Sequence, residues 1–167
     1  MRLRCFVLTA AILPVLLSVR SVQAVTNESA ARFHGTVIVV ECSINGAKRQ
    51  TVDFGTAVGI KRIDGKRYEQ PVPFSVNCTN YAGGDVPTLT LVLGGNTTSF
   101  NDAAVATDVN GLGIELRNNG KAQPLNKAVT FDYKNVPILT AVPVADPSVS
   151  LSAQPFTATV KLTVEVA

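Results

Sequence analysis

The most constraining feature of the sequence is the strict alternation over residues 156–166, "FTATVKLTVEV". Successive side chains of a β-strand point to opposite faces, so a period of two with one apolar face predicts a long, half-buried strand. The opposite face carries threonine, lysine and glutamate, as expected of a solvent-facing surface. The apolar face consists of Phe156, Ala158, Val160, Leu162, Val164 and Val166.

The rest of the chain repeats this pattern and carries almost no helix signal. Short alternating or β-rich runs are separated by turn-forming stretches such as "YAGGD" and "GGNTTS". Asn119-Gly120 predicts a tight hairpin turn, because both residues tolerate the positive φ of a type I′ turn. The sequence therefore predicts an all-β sandwich or barrel. The further runs are "YEQPVPFSVNC", "PTLTLVL", "LGIELRN", "AVTFDYK" and "PILTAVPV".

Residues 1–24 are predicted to be a signal peptide. A basic head precedes an apolar run too short to span a bilayer, and "SVQA" ends in the small residue expected before cleavage. The whole chain has 15 Lys+Arg against 12 Asp+Glu. Because Arg2, Arg4 and Arg20 leave with the signal, the mature charges balance. This balance offers no electrostatic case for nucleic acid or for insertion into an anionic membrane.

Two cysteines, Cys42 and Cys78, remain after the signal carrying Cys5 is removed. In an exported chain such a pair most simply forms one disulfide. A metal site is the alternative, but it lacks ligands because His34 is the only histidine of the chain. The sequence thus predicts a disulfide and neither a metal nor a cofactor.

The segment "RFHGTVIVVEC", residues 32–42, is a further strand-like run near the start of the mature chain. Phe33, Gly35, Val37 and Val39 fall on one of its faces. Taken alone, this pattern fits equally an ordinary first strand with a bulge glycine and a strand offered to another molecule. The elements after Cys42 fit a small immunoglobulin-like sandwich that lacks a closing strand after residue 166. The extra strand near the start of the mature chain and the strand lacking after residue 166 together suggest that the N-terminal segment of one molecule completes the sandwich of the next.

Five motifs in the expected order resemble the pilus subunits of the chaperone–usher pathway. The resemblance covers essentially the whole mature chain, with the signal and cysteine pair as further points of likeness. It implies an incomplete immunoglobulin-like sandwich over 42–167, preceded by a donor-strand extension over 25–41. The motifs are "FHGTVIVVEC", "TVDFG" (51–55), "PFSVNC" (73–78), "GLGIELRNNGKAQPLN" (111–126) and "FTATVKLTVEV". Of these, "TVDFG" resembles the family's early core strand, so a strand is expected over 51–55.

The resemblance also implies a mechanism and partners. In that family a periplasmic chaperone lends the missing strand, and at an outer-membrane usher the N-terminal segment of the next subunit replaces it. Phe33, Gly35, Val37 and Val39 match the groove-filling positions, and the apolar face of 156–166 matches the acceptor and chaperone-facing strand. The expected localisation is a surface fimbrium reached through the periplasm, where the organelle supports cell adhesion.

The chain departs from the family pattern at its C-terminal edge. Val166 stands where an aromatic residue is common, and Gln154-Pro155 where a glycine is common. In that family both features belong to the C-terminal edge that faces the chaperone, so the departures concern how the chaperone docks and not the fold. The motifs favour a minor tip or adaptor subunit, while a major rod subunit or a terminator stays open.

An enzyme and a self-contained binding module are the two alternative functional classes. An enzyme of the acyl-transfer type needs a nucleophile with a positioned base, and His34 lies in the N-terminal extension, so no catalytic residue is predicted. The main alternative is a self-contained secreted immunoglobulin-like module that binds a carbohydrate or a protein. Such a module would use residues 33–41 within its own sheet and would be stable as a monomer.

Overall fold

The computed structural model describes residues 29–37, 39–79 and 87–167. The predicted signal peptide, residues 1–24, lies outside them. The chain divides into two units, Met1–Thr36 and Val37–Ala167. In the first unit, residues 29–36 are exposed and lie outside regular secondary structure.

The second unit is all-β, as the alternating runs predict. Its described residues contain ten strands and two short 3-10 turns, Asn45–Ala47 and Ile60–Arg62. The strands are β1 (Glu41–Ile44), β2 (Gln70–Val72), β3 (Val76–Thr79), β4 (Thr88–Gly94), β5 (Ala104–Ala106), β6 (Leu112–Asn118), β7 (Lys121–Ala122), β8 (Ala128–Asp132), β9 (Leu139–Ala145) and β10 (Lys161–Val166).

The strands form three antiparallel sheets around one core. One sheet has the order β10-β4-β8, another has the order β2-β9-β6-β5 with β7 paired to β6, and β1 pairs with β3. Leu91 and Leu93 of β4 pack against side chains of the β2-β9-β6-β5 sheet, so these two sheets face each other. The facing residues include Val105, Ile114, Leu116, Leu139 and Ala141.

The predicted hairpin turn is confirmed. Asn119 and Gly120 have φ values of 50° and 76° and connect β6 to β7. Asn119 also fixes the approach to β9: its backbone N–H donates to the Ile138 carbonyl at 2.8 Å, and its Oδ1 accepts from the Ile138 N–H at 3.0 Å.

Several predicted strands differ in the structure. Residues 51–55 form no ladder, and "YEQPVPFSVNC" becomes β2 and β3, with Pro73, which has no N–H, between them. The strand predicted over 156–166 forms a ladder with β4 only from Lys161 onward, because β4 ends opposite it at Gly94. The described part of 32–40 contains no strand residue.

A polar cluster on the outer face of β6 anchors the loop before β2. Arg117 is 20% exposed; its Nε donates to Glu115 at 2.8 Å and its Nη2 to the Gly65 carbonyl at 2.6 Å. Its Nη1 reaches Glu69 at 3.2 Å, and Glu69 accepts from the Thr140 hydroxyl. Because the guanidinium is mostly buried, its removal would leave Glu115 without its cation. The opposite charges of Glu115 and Arg117 on one face of β6 were the sequence signal for this cluster. Their partner Glu69 was not predictable from sequence.

Candidate functional site

A groove of about 1440 Å³ runs along the second unit. One flank is built by β1 and the residues that follow it up to Thr56, and the other by residues 151–164. The core residues Leu93, Val105 and Ile114 line the groove between them. The groove therefore opens the apolar core to the surface, which is unusual for a self-contained sandwich.

The second flank carries five of the six residues predicted for the acceptor face. Phe156, Val160, Leu162 and Val164 are partly buried and pack against the core, and Ala158 lines the groove beside them. Val166, at the end of β10, is 46% exposed and is not part of the lining.

The first flank is held by the predicted disulfide, which the structure confirms. Cys42 of β1 and Cys78 of β3 face each other in the antiparallel ladder and are bonded. Phe54 extends from the same flank and meets Phe156 of the other flank, with ring centroids 6.0 Å apart. Sequence reasoning placed residues 51–55 in a core strand and missed this aromatic pair.

The edge of β10 that borders the groove is open. β10 pairs with β4 from Lys161↔Gly94 to Val166↔Leu89. In the described ranges no ladder is formed on its other side, although β1 comes into contact with it. An edge with unpaired main-chain groups above an apolar groove is a template for an added strand.

Residues 156–160 continue the flank beyond β10 and are fixed by Asp108. The Asp108 carboxylate accepts from the Thr157 N–H at 2.7 Å and from the Thr157 hydroxyl at 3.0 Å. The Asp108 N–H donates to the Thr157 carbonyl at 3.2 Å. The backbone N–H of Thr157 is the main reason that the pKa of Asp108 lies below its usual value, so this carboxylate is charged at neutral pH. The three hydrogen bonds between Asp108 and Thr157 are called the clamp below.

The residues predicted for the groove-filling face are accessible. Phe33 is 94% exposed, Val37 is 96% exposed and Val39 is 68% exposed. A Cβ built on Gly35 would meet no described atom within 4 Å.

A second cavity, of about 530 Å³, lies beside the Arg117 cluster. Glu115 in its lining is already paired, since it accepts from Asn101 Nδ2 and from Arg117 Nε, both at 2.8 Å. Among the described residues, no group of three or more His, Cys, Asp or Glu side chains could hold a metal ion. Nor does that part of the chain contain a helix long and apolar enough to cross a membrane.

Comparison with known proteins identifies the family. The model of the fimbrial protein family matches residues 31–167. The fimbrial-like protein YfcQ of Escherichia coli K12 is 36% identical over 154 residues, covering 90% of this chain and 94% of YfcQ. YfcR of the same organism is 33% identical over 129 residues, covering 74% and 72%. The chain belongs to the fimbrial protein family.

Solved pilus structures share the fold. The P pilus rod subunit PapA aligns with a TM-score of 0.58 at 21% identity, over 75% of this chain and 99% of PapA. The P pilus adaptor subunit PapF aligns with a TM-score of 0.52 at 21% identity, over 75% and 95%. The predicted fold is thus confirmed: an immunoglobulin-like sandwich that lacks a strand. Both neighbours are structural subunits of the P pilus, PapA of its rod and PapF as an adaptor.

Proposed function

We propose that this pilin polymerises by donor-strand exchange, with residues 33–39 of one subunit entering the groove of the next. The observation that carries the proposal is the open β10 edge above a groove lined by core side chains. An added strand would pair with the edge and cover the exposed core in one step. Residues 25–41 are then the extension and residues 42–167 the acceptor domain.

The N-terminal segment has the properties required of the added strand. Phe33, Val37 and Val39 are apolar, project to one face when extended, and are exposed in the subunit alone. Burial of each could contribute about 1.5–3 kcal/mol, reduced by the ordering of the segment. Gly35 carries no side chain, and a close approach of its backbone to a neighbouring groove would account for a glycine at this position.

The same proposal defines the partners and the route. A periplasmic chaperone would hold the β10 edge until an outer-membrane usher exchanges it for the next subunit. Export through an oxidising periplasm is compatible with the Cys42–Cys78 bridge. The assembled fimbrium would support cell adhesion, and we assign this chain a minor tip or adaptor position.

The direct test is to delete residues 25–40 from the mature chain and to follow assembly by size-exclusion chromatography. The shortened chain should form no polymers alone, yet it should bind one full-length subunit, because its groove is intact and only its own donor is lost. The full-length chain is the control and should form a ladder of oligomers. A shortened chain that polymerises like the full chain, or a full chain that stays monomeric with and without the shortened one, would contradict donor-strand exchange and favour a self-contained binding module.

A further inference from the structure

We propose that Asp108 is a positioning residue that extends the acceptor edge beyond β10, from Lys161 back to Phe156. This inference rests on the proposed strand exchange. Residues 156–160 have no ladder partner, because β4 ends at Gly94 opposite Lys161. Asp108 supplies the missing partner: its carboxylate and its N–H engage the N–H and carbonyl of Thr157.

The clamp sets which main-chain groups face the groove. In an extended chain, the N–H and C=O of one residue point to the same side, and those of the next residue to the other. Both main-chain groups of Thr157 bond to Asp108, which is not part of the groove lining, so they point away from the groove. At the other end of the flank, the Ala167 N–H donates to the Thr88 carbonyl of β4 at 2.9 Å. Residues 157 and 167 are ten positions apart, and both direct their main-chain groups away from the open edge, as an uninterrupted alternation requires.

The residues between them follow the same phase. A Cβ built on Gly95 would lie 3.6 Å from the Thr159 carbonyl oxygen, so that oxygen also faces the β4 side. The even-numbered residues must then present their N–H and C=O groups to the open edge. These residues also carry the apolar side chains that line the groove, and they are Phe156, Ala158, Val160, Leu162 and Val164.

The length of the edge is what Asp108 changes. β10 alone offers six residues, Lys161–Val166, and its end at Val166 is partly exposed and outside the groove lining. With the clamp, residues 156–160 continue the hydrogen-bonding alternation of β10, so the edge begins at Phe156, where the Phe54–Phe156 pair lies. A donor of the length of residues 33–39 can therefore pair over the apolar part of the groove, which β10 alone would not match.

The test uses the monomer fraction of the full mature chain, separated from its oligomers by size-exclusion chromatography and used at once, with a fluorescein-labelled peptide of residues 29–40. In the wild-type protein, we expect the bound peptide to protect amides of Ala158 and Val160, as well as Leu162 and Val164, from hydrogen exchange. In Asp108→Ala, protection at 158 and 160 should be lost while that at 162 and 164 is kept. Peptide affinity should fall about tenfold, because hydrogen bonds at half of the edge are no longer held in register.

Two further variants make the result interpretable. Asp108→Asn keeps the side-chain shape but offers one neutral acceptor, so we expect an affinity loss of about threefold and a folded protein. Asp146→Ala is the matched control, because Asp146 binds the N–H and hydroxyl of Ser148 at 2.8 and 2.6 Å and is not part of the groove lining. It should bind peptide as the wild type does. Wild-type affinity and protection in both Asp108 variants would overturn the role of Asp108. Failure of the peptide to bind the wild type would instead overturn strand exchange, and this inference with it.

Discussion

Val37→Asp and Gly35→Leu are each expected to prevent a subunit from donating its N-terminal strand. Aspartate removes the burial of an apolar side chain, about 1.5–3 kcal/mol, and adds the cost of burying an unpaired carboxylate. Leucine at 35 places a side chain where the backbone should approach the groove closely. Incorporation into fibres should fall on the order of a thousandfold for Val37→Asp, since each 1.4 kcal/mol is a factor of ten.

The measurement is the yield of oligomers from a mixture of variant and wild-type subunits that carry different tags. Each variant should still accept the segment of a wild-type subunit, because its groove is unchanged. Thr36→Asp is the matched control: it places the same charge one residue away, on the opposite face of the extended segment, and should assemble normally. Normal donation by Val37→Asp, or equal losses in Val37→Asp and Thr36→Asp, would show that residues 33–39 are not the donor.

Loss of the Cys42–Cys78 bridge is expected to produce the largest change in stability. The bridge closes a loop with a sequence separation of 36 residues, which corresponds to about 3–4 kcal/mol in the loop-entropy model. A domain of this kind has a total stability of only about 5–15 kcal/mol, and its open groove leaves part of the core uncovered. The double variant Cys42→Ala/Cys78→Ala should therefore accumulate poorly in the periplasm.

The assembly contacts should be less affected than the folding yield, because neither cysteine belongs to the β10 edge. The measurement is the amount of folded periplasmic subunit, compared with the fraction of that folded material able to bind a donor peptide. Equal yields with and without the bridge would contradict the stabilising role. A normal yield combined with lost peptide binding would show that the bridge serves to hold the first flank of the groove and not to stabilise the fold.

The elements predicted best from sequence are those whose neighbours complete a ladder. β4 and β8 alternate between more buried and less buried residues, β6 and β9 are buried at four of their first five residues, and each of the four has a hydrogen-bonded partner on at least one side. The Asn119-Gly120 turn was predictable because its positive φ values are a local requirement. Local pattern and tertiary pairing agree at these positions.

The differences occur where pairing depends on distant residues. Residues 156–160 have the alternation of a strand but no ladder, because a hydrogen-bonded strand needs a partner and β4 has ended. β5 was not predicted because its sequence "AVA" is short and contains no polar residue alternating with the apolar ones. Phe54, which lines the groove, and Asp108, which binds the second flank, were not identified from sequence, since their partners Phe156 and Thr157 are more than a hundred and about fifty positions away, respectively. The residues assigned to the donor face remain a prediction.

The most direct test of strand exchange is a thermal melt of the domain that begins at Glu41, with and without a peptide of residues 32–40. A large rise in the unfolding midpoint on addition of the peptide is expected, because the peptide binds only the folded domain and covers its groove. The same peptide with Gly35→Leu should give little or no rise. A stable domain whose midpoint is unchanged by the peptide would contradict the account, because it would show a fold that needs no strand from another molecule.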